Sequence, residues 1–126
     1  MTLDRRLLIG SGMALIAFPT VANAKPEIPP MYGLIGKMTA HPGQRDDLIA
    51  ILLEGTGGMP GCRSYVIATD PQDANAIWIT EVWDSPADHA ASLGLASVKA
   101  AISKGRPMIA DMGPQFETTP VGGHGL

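Results

Sequence analysis

The chain has a single cysteine, Cys62, so no intramolecular disulfide can form and packing must hold the fold. A lone cysteine is more often a small buried apolar residue than a reactive thiol. No cluster of lysine and arginine is present to meet phosphates, which argues against nucleic acid as a partner. No H-x-x-x-H or C-x-x-C pair exists, so a metal site has no support. No G-x-G-x-x-G opens a helix and no G-x-S-x-G occurs. Those absences remove the Rossmann dinucleotide turn and the hydrolase nucleophile elbow. The apolar run Leu7 to Phe18 is broken by Gly10, Ser11 and Gly12. It is shorter than the roughly 20 residues that a membrane-spanning helix needs.

That run belongs to a leader. Arg5-Arg6 precedes it, and Pro19 and Ala22-Asn23-Ala24 follow it. A charged start, a short apolar middle and an A-x-A end make a signal peptide over residues 1–24, removed on maturation. The arginine pair makes it similar to twin-arginine signals, which carry folded proteins out of the bacterial cytoplasm. The expectation is a periplasmic or secreted protein with no membrane contact in its mature form. The whole chain carries a net charge of −3, and losing Arg5, Arg6 and Asp4 makes the mature domain one charge more acidic. Residues 25–30, Lys-Pro-Glu-Ile-Pro-Pro, read as a stiff linker. The rest has the length of one domain with a modest core.

Met31 to Ala40 reads as a strand in which Gly33 and Gly36 mark a bulge or a close approach. His41-Pro42-Gly43 is a turn, and a helix follows from about Gln44 to Glu54. Asp46 and Asp47 suit its first turn, and Leu48, Ile51 and Leu52 form its buried stripe. Cys62 to Ala68 is a second strand, and Asp70 to Asn75 has hairpin-turn chemistry. Ala76 to Trp83 is a third strand. Its alternation puts Ile77, Ile79, Glu81 and Trp83 on one face and Trp78, Thr80 and Val82 on the other. Ser85-Pro86-Ala87-Asp88 starts a second helix that runs to about Leu93. A third helix, about Ser97 to Lys104, is expected to bury Val98, Ala101 and Ile102 before Gly105 and Pro107 stop it. Met108 to Gly113 is ambiguous, Gln115 to Thr119 reads as a short last strand, and residues 120–126 as a flexible glycine-rich tail. The order predicts an α+β fold, the ferredoxin-like split βαβ, with helices on one face of an antiparallel sheet. Apolar residues on both faces of the third strand leave the other face to be covered, most simply by a second subunit in a homodimer.

Three stretches, TAHPGQRDDLIAIL, MPGCRSYVIATDP and IWITEVWDSPADHAASL, occur in an order and spacing that resemble the antibiotic biosynthesis monooxygenase family, especially its small quinol monooxygenases. The resemblance covers about Tyr32 to Thr119. It implies a dimeric α+β barrel that oxidises electron-rich aromatics such as quinols or phenols with O₂, usually with no cofactor, metal or flavin. Two positions depart from the family. Ser92 stands where many members carry a helix histidine, and His89 lies three residues earlier, a neighbour on the helix surface. Gly36 stands where haem-degrading relatives carry an asparagine, which argues against haem degradation.

His89 is the candidate catalytic base, since histidine accepts protons near neutral pH. Spacing places it on one helix face with Leu93 and Ala96. Trp83 would be a flat wall for an aromatic substrate and Tyr65 would orient a substrate oxygen, or both simply pack. Glu81 is a pocket acid or the cross-strand partner of Lys37. His124 either closes over the pocket from the tail or does nothing there, and His41 belongs to a solvated turn. The leading expectation is an exported monooxygenase acting on a small aromatic substrate and O₂. The alternative is a non-catalytic small-molecule or haem-binding protein on the same scaffold.

Overall fold

The computed structural model describes residues 30–126. The leader 1–24 and all but the last residue of the linker lie outside the described residues. The elements run β1 (Tyr32–Ala40), α1 (Arg45–Gly55), β2 (Cys62–Thr69), β3 (Ala76–Trp83), α2 (Pro86–Ser92), α3 (Ala96–Gly105), a 3-10 turn (Arg106–Met108) and β4 (Ile109–Thr118). The sheet order is β2-β3-β1-β4 and every neighbouring pair is antiparallel. This is the split βαβ arrangement that the element order predicts.

Strand alternation separates the two faces of the sheet. Ile77, Ile79 and Trp83 of β3 are buried beneath the helices with Leu34 and Ala40 of β1. Leu48 of α1, wholly buried, packs on Ala40, Ile77 and Ile79. Met59, Trp83 and Val98 form a second cluster at the other end of β3. Full burial of one such side chain contributes about 1.5–3 kcal/mol. Arg45 fastens the start of α1 to the β2–β3 hairpin by donating to the carbonyls of Asp73 and Ala76. Within that hairpin Asp70 accepts from the amide of Gln72 and from the indole of Trp78. Ser85 caps α2, its hydroxyl accepting from the amide of Asp88 at 3.2 Å, with Pro86 at the first helical position.

Three local readings are corrected. The last strand begins at Ile109, not Gln115, and an extra residue bulges near Gly113 and Pro114 where it pairs with β1. A proline without an amide hydrogen is tolerated on an edge strand at a bulge, so the strand runs through a sequence that looks like a break. Ile102 is exposed rather than buried. Helix α3 leans on α1 rather than on a strand, and only Val98, Ala101 and Gly105 are buried along it. Lys37 is not the partner of Glu81: it lies opposite Trp78, one residue out of phase with the Glu81 face, and its ammonium sits 4.0 Å from Asp70.

Gly61 is needed where β2 begins. Its φ is +78°, and a β-carbon there would meet Asp88 of α2 at 2.5 Å. The close approach brings the start of α2 down onto the sheet and so sets the height of His89.

Candidate active site

Helix α3 and the β1–β4 half of the sheet do not close on each other, and the gap is a cavity of about 600 Å³. Tyr65, Glu81, Trp83 and His89 all line it. They come from β2, β3 and α2. Register does the first part: Tyr65 stands directly across from Glu81, and Trp83 is two residues further along the same face. The capped start of α2 does the rest by laying His89 over them.

The indole of Trp83 donates to Glu81 Oε1 at 2.9 Å. His89 Nε2 lies 3.9 Å from that same oxygen, beyond a direct hydrogen bond but close enough for an ion pair once the imidazole is protonated. The imidazole meets Trp83 edge-on at 5.5 Å between ring centroids and Tyr32 in a tilted contact at 5.4 Å. Trp83 is only 1% exposed and is fixed by burial, whereas the His89 side chain is 25% exposed and remains reachable. Burial, and secondarily the Glu81 charge, push the phenol of Tyr65 far above the ordinary tyrosine range. Tyr65 is therefore a neutral donor here and not a base. Cys62 is also raised by burial, with its thiol near the carbonyl of Ser64, and this disfavours a thiolate.

The other candidates lie elsewhere. His124 is exposed in the tail and does not line the cavity. The tail leaves β4 past Gly33, where Pro120 packs, and ends in a turn closed by Leu126 on Gly123. His41 is exposed in its turn. The face of α2 differs from the helical spacing argument: Ser92, at i+3, is buried beside His89, while Leu93, at i+4, is half-exposed at the cavity rim. Over a helix only seven residues long, spacing alone does not decide which neighbour points inward. Tyr32 is the residue that sequence reasoning missed. Its position across from Trp83 in the β1–β3 register is the signal that places it. Its hydroxyl donates to Glu117 at 3.1 Å, and partial burial together with that carboxylate raises its pKa.

Among the described residues no group of three or more His, Cys, Asp or Glu side chains converges. The arrangement therefore offers a proton acceptor, a carboxylate behind it, a neutral phenol donor and an aromatic wall around one apolar space.

The family model for antibiotic biosynthesis monooxygenases matches residues 31–104. Among solved structures, a candidate antibiotic biosynthesis monooxygenase from Chloroflexus aurantiacus J-10-fl is 68% identical. The match covers 75% of this chain and 96% of that one, with a TM-score of 0.73. A candidate member from Caulobacter crescentus CB15 shares the fold at 17% identity and a TM-score of 0.68, over 75% of this chain and 93% of that one. No curated protein matches.

Proposed function

This chain belongs to the antibiotic biosynthesis monooxygenase family, and from that premise we propose that it oxidises a quinol or related phenol with O₂, His89 taking the phenolic proton. The observation that carries the reading is His89, reachable from the cavity and backed by Glu81 and Trp83. Removing the proton leaves an electron-rich ring anion, the form that can reduce O₂ directly. In the balanced reaction a hydroquinone with a free ring position and O₂ give a hydroxyquinone and water. One oxygen atom enters the ring in place of hydrogen, the other leaves as water, and the substrate supplies all the electrons. Glu81 would stabilise the imidazolium formed on proton transfer. Tyr65 would donate to a substrate oxygen, and the plane of Trp83 would hold the ring.

The test is oxygen uptake with hydroquinones, together with the fate of ¹⁸O₂. The expected product gains one labelled atom, and His89→Ala lowers turnover by about 10²-fold or more, the scale of losing a general base. Full activity in His89→Ala would remove the histidine from the chemistry. Binding without oxygen uptake by the unaltered protein would make it a carrier of aromatics rather than an enzyme.

The reading extends to place and assembly: an exported protein, matured at Lys25, that works as a homodimer. Its support is the leader chemistry of residues 1–24 and the apolar residues on the sheet face that no described helix covers. Mass spectrometry of protein recovered outside the cytoplasm should give a chain beginning at Lys25. A chain beginning at Met1 would contradict it.

A further inference from the structure

We propose that the ring held at Glu81 and His89 carries a hydrocarbon substituent, which lies under α3 across β1 and β4 and leaves the cavity between Leu93, Ile102 and Met112. The inference rests on the quinol reading for the ring, but the site for the substituent has its own observations.

The first is size. A volume of about 600 Å³ lies in the middle of the range that holds a drug-sized ligand, far more than a single six-membered ring needs. The second is the division of polarity. Tyr65, Glu81 and His89 gather at one end, by Trp83. Away from them the floor is Gly36 and Met38 of β1, Ile79 of β3 and Ile109 of β4. Gly36 keeps that floor low, since a β-carbon there would press on Gln115 at 3.3 Å. The charged groups that line the cavity beyond Glu81 and His89 are Lys37, Arg106 and Asp111. Lys37 is engaged by Asp70 and the face of Trp78, and Arg106 and Asp111 are exposed to solvent. None of these three is among the residues named for that floor.

The third observation is the mouth. Leu93, Ile102 and Met112 come from α2, α3 and β4, and all three line the cavity. They are nonetheless 51%, 38% and 56% exposed. Large apolar side chains left in water around a cavity opening mark a place where apolar material passes. Met112, unbranched and polarizable, can follow a chain of variable shape. A bare ring would leave them idle, whereas an alkyl or isoprenoid substituent covers them.

The experiment measures calorimetric Kd values of 4-n-alkylphenols, from phenol to 4-octylphenol, with the full chain, beside oxygen uptake with the matching 2-alkylhydroquinones. The expected result is a Kd that falls about fourfold per methylene over the first several carbons and then levels off as the chain reaches water. The double substitution Ile102→Asn with Met112→Gln should flatten that slope. Leu53→Asn, at an exposed apolar position that does not line the cavity, should leave it intact. A Kd indifferent to chain length overturns the proposal, as does a slope unchanged in the double variant. If alkylphenols show the slope but no hydroquinone consumes O₂, the substituent site stands and the oxidation reading falls. If bare hydroquinone is oxidised and the slope is flat, the reverse holds.

Discussion

Glu81 Oε1 is shared. It accepts the Trp83 indole hydrogen and lies within ion-pair reach of His89. One carboxylate thus orients the aromatic wall and stands behind the proton acceptor. Its partner across β2, Tyr65, keeps its proton because burial disfavours the phenolate, so the two groups divide the work of accepting and donating. Glu81→Gln preserves the shape and a hydrogen-bond acceptor for the indole but removes the charge. The expected outcome is a kcat roughly tenfold lower, the scale of losing one charged contact, with KM little changed. Steady-state oxygen uptake reads both constants. A fall in stability with kcat intact would make Glu81 a packing residue instead.

At the scale of elements, the β2–β3 hairpin carries a measurable charge effect. Asp70 accepts from the Gln72 amide and the Trp78 indole and lies near Lys37, and these hold its carboxyl below the ordinary aspartate range. A folded pKa below the unfolded one means the contribution is present above the unfolded value and is lost as pH falls through the folded one. Urea melts of the parent and Asp70→Asn should therefore differ at pH 7 and converge as pH drops below about 4. A gap that persists under acid would assign the effect to the shape of the turn. On the other side of the sheet, α2 is only seven residues long and cannot hold itself together in isolation. The Ser85 cap and the Gly61–Asp88 approach hold it in place, and with it His89.

At the scale of the whole molecule, one face of the sheet carries no helix among the described residues. Val66, Thr80, Ile35 and Phe116 line up across all four strands on that face, in register. Phe116 is 55% exposed and Val66 51%. A row of this kind is what two copies would bury against each other in a self-complementary interface. Light scattering should report twice the mass of the mature chain. Phe116→Asp should shift the protein to monomer at micromolar concentration, because a charge would then sit in an apolar interface without a partner. A parent that is monomeric at that concentration would rule the dimer out.

The sequence by itself determined most of the elements and the faces of the central strand. The alternation of Ala76–Trp83 put Glu81 and Trp83 together, and Ser85-Pro86 started the helix that bears His89, because period and capping are local properties. The same local rules implied the βαββαβ order, and with the resemblance of three short stretches they pointed to the family. Tertiary structure decided what local rules do not reach. That Ser92 rather than Leu93 turns inward depends on how α2 packs against the sheet. That Ile102 rims an opening rather than fills a core depends on α3 leaning toward α1. Tyr32 joined the site only through antiparallel register with Trp83, a pairing between residues far apart in the chain. His124 stayed away because the tail runs past Gly33, where Pro120 packs, and is exposed beyond it. The cavity itself is the space left where two layers fail to close, and such a space is a property of the assembled layers that no single segment encodes.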